Sequence, residues 1–375
     1  MLPLGVAVRH LARVVQPVPS MRSGIAVGLA LFVVVATALP LLRVRVWWVR
    51  IWDFPRLQLA ALAALALLLG AGTWGDGGAW HPALGALTAL ALAYQLAKVW
   101  RYTPFAPKEV QDTRGAGRDP GRTISLVVCN VLEKNRDADR LISVVRGADA
   151  DLVLCVETDE WWRERLDALS ETHPHAVRVP LPNTYGMLLY SRLPLSEVQV
   201  EHLVQDDIPS IQARVRLGSG EVVWLNCVHP RPPAPSESDD SLPRDAELLL
   251  VGKRVGEATG PVILCGDLND VAWSSTTRLF QKISRLLDPR KGRGMFSTFH
   301  AHWPVIRWPL DHVFFSDDFR LVSLRRLPDV GSDHFPVYVC LHLEPGAAAQ
   351  QEAPEADDAA HAKADETIAQ ARGSE

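Results

Sequence analysis

A carboxylate, an amide and a second carboxylate follow directly on an apolar run in Val262-Ile263-Leu264-Cys265-Gly266-Asp267-Leu268-Asn269-Asp270. A short apolar run bounded by turn residues predicts a strand buried on both faces. Gly266 lets the chain turn, so that Asp267 and Asn269 leave the sheet together at its rim. That stretch alone also suits a plain strand–turn with an Asx cap. The same arrangement recurs, however. Apolar runs end at Asn130, at Glu157, at His229 followed by Pro230 and Arg231 and at Asp311-His312, and Gly331-Ser332 leads to Asp333-His334. One such end is noise, whereas several converging on one rim would form a site.

The residue types suit one task. Glu157, Asp333 and Asn130 offer hard oxygen ligands, matched to Mg2+ or Mn2+ and poor for zinc. His229 and His334, with Asp267 and Asn269, can place a water, take its proton and protonate a leaving oxygen. In-line hydrolysis of a phosphate ester needs that combination: a neutralised oxyanion, an aimed nucleophile and an assisted departure. No serine or cysteine occupies a nucleophile elbow, so covalent acyl chemistry has no candidate. Asp270 and His312 read as structural neighbours of the set. Arg231 and Arg293 read as loop arginines, with substrate phosphate as the alternative partner, and Arg231 is carried as a substrate-binding candidate. Trp161-Trp162 reads as packing at the start of a helix.

The elements that must position these residues lie in 123–344. Apolar patterning predicts strands over 123–129, 152–156, 186–190, 212–217, 222–228, 262–265, 312–315 and 337–343. Amphipathic stretches predict helices over 138–146, 160–170, 244–257 and 276–286. Strands alternating with helices fit an α/β sandwich, two sheets packed together with helices outside.

Asn130, Val156-Glu157, His229-Pro230, Gly266-Asp267-Leu268-Asn269, Leu310-Asp311-His312 and Ser332-Asp333-His334-Phe335-Pro336-Val337 occur in a fixed order. That ordered set resembles the endonuclease/exonuclease/phosphatase superfamily over 123–344. The resemblance implies a four-layer α/β sandwich of two packed mixed β-sheets flanked by helices. It implies Glu157 as the main metal carboxylate, with Asn130 and Asp333 helping to hold Mg2+ (or Mn2+) or the phosphate. Asp267 would orient or deprotonate the attacking water and Asn269 would fix the phosphate. His334 would contact the scissile phosphate, with Asp311 holding its imidazole in the useful tautomer. His229 resembles the second histidine of the deoxyribonuclease-like branch, a candidate acid for the leaving group. Several members carry an acid two residues after the first-strand Asn. Here Leu132 stands there and Glu133 is offset by one, which leaves the number of ions open.

The first hundred residues differ in kind. Apolar stretches at 24–42, 57–71 and 82–99 predict about three transmembrane helices, the second near the short limit of the ~20 residues a span needs. The alternatives are buried soluble helices, or a cleaved signal peptide ending near Ala36-Thr37-Ala38 behind Arg9, Arg13 and Arg22. Arginines and tryptophans alternate from Arg43 through Trp47, Trp48, Arg50 and Trp52 to Arg56, the make-up of an interfacial loop. With Lys98, Arg101 and Lys108 after the third stretch, the positive-inside rule puts the C-terminal domain in the cytoplasm, although the N-terminal arginines disagree. The leader and linker resemble bacterial membrane-anchored members of the superfamily, which implies a multi-pass protein of the inner (cell) membrane. The expected organisation is a membrane region at 1–102, a Pro/Gly-rich linker at 103–122, the catalytic domain at 123–344 and a disordered acidic tail at 345–375.

A formal net charge of -4 argues against a protein that wraps nucleic acid by charge alone. Five cysteines, an odd number with long spacings and no CxxC pair, exclude a zinc framework and leave no disulfide-linked partner expected. The function expected is therefore a membrane-anchored, Mg2+-dependent, nuclease-like phosphodiester hydrolase. The alternatives are a phospholipid or inositol-phosphate headgroup phosphoesterase of the sphingomyelinase or phosphatase type, and a non-catalytic phosphate-binding module.

Overall fold

The computed structural model describes residues 21–72, 74, 80–113, 119–235 and 237–373. The basic leader with Arg9 and Arg13, and most of the loop before His81, lie outside the described residues. Two compact units emerge: one from residues up to Leu42 plus Arg56–Ala97, the other from Arg43–Pro55 plus Lys98–Glu375.

Among the described residues the smaller unit holds three helices, α1 (Met21–Ala38), α3 (Arg56–Gly70) and most of α4 (Trp80–Val99); α2 (Trp47–Arg50) belongs to the larger unit. Small residues let the helices approach closely: Ala30 and Ala66 meet Leu84, and Ala63 meets Val33 and Ala91. A buried polar chain ties them, with Arg56 donating to Gln95 at 3.0 Å and Gln95 donating to Thr37 at 2.8 Å. The outward side chains are apolar, Leu68 and Leu90 among them. Two helical segments, Met21–Leu42 and Trp80–Tyr102, are long and apolar enough to cross a membrane. Helix α3, with 15 residues, is short for a span.

In the larger unit, the central strands form where an apolar run can be covered on both faces. One mixed sheet of six strands joins β1 (Thr123–Asn130), β2 (Leu152–Val156), β3 (His175–Val179), β4 (Met187–Ser191), β10 (Phe319–Arg326) and β11 (Val337–Leu343), in the order β10-β11-β1-β2-β4-β3. A second joins β5 (Leu195–Glu201), β6 (Ser210–Arg216), β7 (Val222–Cys227), β8 (Val262–Asp267) and β9 (Asp311–Phe315) in sequence order. Only β1–β2 and β7–β8 run parallel. Leu126, Val128 and Leu154 of the first sheet meet Leu225, Ile263 and Cys265 of the second in the dry inner core. Outside the first sheet, Val127, Cys129 and Val153 pack on α5 (Ala138–Ala148) and α6 (Glu160–Leu166). Outside the second, Leu264 and Phe314 pack on α7 (Leu242–Gly256) and α8 (Ser275–Ser284). This is the four-layer α/β sandwich. The five cysteines are all buried free thiols.

Three stretches differ from the sequence reading. The tail expected to be disordered forms α9 (Asp358–Arg372), capped by Asp357, which accepts from the Ala360 N–H at 2.8 Å. Its Ala360, Ala364 and Ile368 recur at helical spacing and pack against Leu249 and Ile283. An alanine stripe carries little hydrophobic signal in sequence, yet fits closely on a preformed surface.

The stretch read as a linker is bound to the domain over its first part. Val110 is fully buried, and Gln111 and Thr113 exchange backbone hydrogen bonds with Leu321 of β10. Residues 114–118 of that stretch lie outside the described residues. The Arg/Trp segment is likewise docked. Trp47 donates its N–H to the Asp239 carbonyl at 3.0 Å, Arg50 pairs with Asp53 at 3.0 Å, and the Asp53 carbonyl accepts from the Trp273 indole at 2.7 Å. The edge strands β3, β5 and β10 carry exposed polar residues, which is why their patterns are weak in sequence.

Candidate active site

The ends of β1, β2, β8 and β9 meet at one rim, because the parallel pairs β1–β2 and β7–β8 set them there. Register places Asp267 opposite Asp311, and Asn130 opposite Val156, the residue before Glu157. Gly266 is required for this turn. Its φ is +146°, and a Cβ there would lie 1.9 Å from the Val228 carbonyl oxygen. Past it, Asn269 sits at φ +50° and Glu157 at φ +60°, left-handed positions that cost a non-glycine residue energy.

Asn130 is the bridge. Its Nδ2 donates to Glu157 Oε1 at 2.7 Å and to Asp267 Oδ2 at 3.1 Å, while its Oδ1 accepts from the Leu132 N–H at 3.0 Å. Asp267 Oδ1 accepts from the Asn269 N–H at 2.9 Å, and Asn269 Nδ2 donates to the Pro230 carbonyl at 3.0 Å. His334 is clamped between two acids. Its Nδ1 donates to Asp311 Oδ2 at 2.8 Å, and its Nε2 lies 3.6 Å from Asp267 Oδ2. Ser332 orders the loop, donating to the Asn130 carbonyl at 2.8 Å and accepting from the His334 N–H at 3.0 Å.

Electrostatics follow from this geometry. Burial disfavours charge on His334, but Asp311 and Asp267 outweigh it and raise its pKa to about 10. Burial alone would raise Asp267, yet the charged His334 and hydrogen bonds from Asn269 and Asn130 hold it below the usual carboxylate range. Burial pushes Glu157 up to about 7, with the charges of Asp267 and Asp333 adding to the rise. His229 is buried, its Nδ1 has no hydrogen-bond partner, and burial lowers its pKa, so it is neutral at pH 7.

The expected residues are placed as follows. Asn130, Glu157, Asp267, Asp311 and His334 join in one hydrogen-bonded or ion-paired chain, with Asn269 bonded to Asp267. Asp333 is half-buried beside His334 and acts on Glu157 through its charge. Arg231 is engaged elsewhere, its Nη2 donating to Asp207 Oδ2 at 2.5 Å while the guanidinium lies over the Tyr185 ring. Asp270 is structural, accepting from Ser274 and Thr277 at the start of α8. So is His312: Arg290 donates to its Nδ1, its Nε2 donates to the Asp270 carbonyl, and burial with Arg290 pushes it down to about 3. Arg293 is spent on Val110, Pro289 and Asp112. Glu133 turns away to accept from the Thr184 N–H at 2.9 Å, while its own N–H approaches Glu157 Oε2 at 3.4 Å.

Sequence reasoning missed Tyr185. Its ring lies 5.4 Å from that of His229 and its hydroxyl donates to Glu237 at 2.7 Å. The only signal was its place in the polar turn Asn183-Thr184-Tyr185-Gly186 ahead of a strand.

Glu157, with Asp333 near it, fits a hard divalent cation. The group is a strained, largely desolvated carboxylate among other negative charges, which a cation would relieve. Asn130 as placed turns its amide nitrogen, not its oxygen, toward Glu157, so it serves that carboxylate by hydrogen bonding. Asp267, Asp311 and His334 also offer ligand atoms within 4.8 Å of one another. His334 Nδ1 is bonded to Asp311, which leaves Nε2 facing Asp267 as the ring's other polar atom.

The sequence matches the endonuclease/exonuclease/phosphatase family over residues 127–334, more than half of the chain. The chain belongs to that family. It is a phosphoric ester hydrolase. Several solved structures are similar to the chain at low identity. An endonuclease/exonuclease/phosphatase from Beutenbergia cavernae is 18% identical, with TM-score 0.49 over 60% of this chain and 72% of that one. Zebrafish (D. rerio) TDP2 complexed with a single-strand DNA product is 16% identical, with TM-score 0.48 over 59% and 99%. Sphingomyelinase C from Streptomyces griseocarneus is 14% identical, with TM-score 0.45 over 58% and 99%. No curated protein gives a significant match.

Proposed function

We propose that the chain is a membrane-anchored, Mg2+-dependent phosphodiesterase that attacks phosphorus in line with water. The observation that carries this is the His334 clamp beside the Asn130–Glu157 pair: a fixed positive charge and a candidate cation carboxylate on one rim. Glu157, with Asp333, would hold the cation, which when bound supplies Lewis-acid neutralisation of a phosphate oxygen. Asp267, ionised and fixed by Asn130 and the Asn269 N–H, orients the attacking water with its Oδ2. His334, charged at neutral pH, faces the charge that grows on the phosphoryl oxygens. Asn269 would fix the phosphate beside it. His229 is neutral, so it suits a hydrogen bond to a phosphate oxygen better than proton delivery to the leaving group.

Nuclease-like diester hydrolysis is the first reading of the substrate. A second is favoured by one observation: residues 43–55 of the catalytic unit enter and leave directly through apolar helices, which would hold the domain at a bilayer. That favours a phospholipid or inositol headgroup. The positive flanks, Arg43 to Arg56 and Lys98 to Lys108, support a multi-pass anchor in the cell membrane with the domain in the cytoplasm.

The test uses the full chain, because residues 43–55 and α9 pack on the domain. With Mg2+, it is assayed against a chromogenic phosphodiester, a phosphomonoester, single- and double-stranded DNA, and phospholipid vesicles. Turnover lost in chelator and in His334→Ala supports the reading. Turnover of the monoester alone, or metal-independent turnover, sinks it.

A further inference from the structure

We propose that a second site, lined by none of the catalytic-rim residues, binds the phosphate headgroup of an anionic phospholipid. It is a groove of about 660 Å³ in the larger unit, lined by Arg43 and Arg45, by α8 residues including Arg278 and Lys282, and by the start of α9. This inference rests on the membrane reading above and shares no residue with the Asn130–Glu157–Asp267–His334 set.

Its charge is one-sided. Arg43, Arg45, Arg50, Arg278, Lys282 and Lys363 line it, against the acids Asp245 and Asp357. Both acids are already used: Asp245 accepts from Arg244 and Ser241, and Asp357 caps α9. Three of the cations are used too. Arg45 donates to Gln370, Arg50 pairs with Asp53, and Lys363 pairs with Glu366. Arg43, Lys282 and the terminal nitrogens of Arg278 have no acidic partner among the described residues, and all three side chains are exposed.

A solvated basic face is the ordinary fate of exposed arginine, but two features point past it. The cations come from segments more than two hundred residues apart, and the fold gathers them on one concavity in a chain whose net charge is negative. The N-terminal turn of α8, a helix of ten residues, also faces the groove through Ser275 and Thr276, adding a positive helix end, whereas that of α9 is already met by Asp357. Like charges brought together this way favour a bound anion.

The anion is assigned to a lipid by what surrounds it. Arg43 follows directly on Leu42, the end of an apolar segment long enough to span a membrane. Val44, which lines the groove, and Trp48 and Ile51 further along the same segment are 43%, 51% and 49% exposed, apolar side chains suited to the acyl boundary. A soluble phosphate would need no such rim.

The experiment purifies the full chain in detergent and counts retained lipid by native mass spectrometry. The chain is given phosphatidylglycerol, phosphatidylcholine or inorganic phosphate in parallel. Phosphatidylglycerol should be retained over phosphatidylcholine, and the Arg43→Gln/Arg278→Gln/Lys282→Gln variant should weaken it on the order of a hundredfold. Turnover of a soluble phosphodiester should be unchanged, which shows that the variant folds, and Lys282→Glu alone should lower retention in part. Equal retention of the two lipids, or retention unchanged in the variant, overturns the site. Groove-dependent binding of inorganic phosphate without lipid retention overturns the lipid assignment. Release of the chain from native membranes by alkaline carbonate would instead remove the membrane reading, and is scored separately.

Discussion

Asp311 Oδ2 accepts from His334 Nδ1 at 2.8 Å, with both side chains almost wholly buried and Asp267 standing 3.6 Å from the opposite nitrogen. A histidine held between two acids keeps its proton: its pKa is raised to about 10, so its charge is present throughout the neutral range and lost only in alkali. The rate–pH profile of the native chain should therefore lack the inflection near 6.5 that an ordinary histidine would impose. In Asp311→Asn the main raising partner is gone, so turnover should fall about a hundredfold or more and decline further as pH rises through neutrality. A variant profile parallel to the native one would show that the pair does not set the charge.

Glu157 and the cation compete with a proton. The pKa of Glu157 is raised to about 7, so the metal-free folded chain holds that proton below pH 7 and must release it to bind Mg2+. Apparent Mg2+ affinity, read by calorimetry, should weaken as pH falls below 7, by up to about tenfold per unit. The metal-free chain should lose stability as pH rises from the ordinary 4.5 through 7, and Mg2+ should restore it at the upper end. Glu157→Gln should abolish both the binding and the pH dependence.

Glu247 on α7 makes a purely structural counterpart. It is buried with a hydrogen bond from the Ser210 hydroxyl at 3.2 Å, and burial raises its pKa to about 8. The unfolded chain ionises it above 4.5 and the folded chain only above 8, so this group costs stability as pH climbs between those values. Glu247→Gln should stabilise the chain at pH 8 by a few kcal/mol and do little at pH 5, as read by denaturant titration at the two pH values.

The C-terminal helix contributes to the fold. Ala364 is fully buried against the surface formed by Leu249 and Ile283. Ala364→Asp should place an unpaired charge there and cost about 3 kcal/mol, with undocked α9 becoming sensitive to protease. A thermal midpoint unchanged by the substitution would show that α9 adds nothing to stability.

Much of the candidate site was legible in the chain because Asn130, Glu157, His229 and Asp267 stand at the end of an apolar run. Val262–Asp267 shows how: five residues must be buried, and the sixth is the first that can reach the rim. The same logic marked Asn130 and Glu157. It failed for Tyr185, whose place opposite His229 depends on where a turn folds back, and for α9, whose alanines look like a solvated tail.

Pattern along one chain therefore determined the central strands, their polar ends and the apolar leader, since burial is written locally in period and run length. Only the tertiary structure decided that Arg231 belongs to Asp207, that Asn130 bridges Glu157 and Asp267, and that Arg43 shares a groove with Lys282. Those choices depend on sheet register and on docking between segments far apart in sequence. Partners of equal charge and type are interchangeable until backbone geometry brings one of them within hydrogen-bond reach.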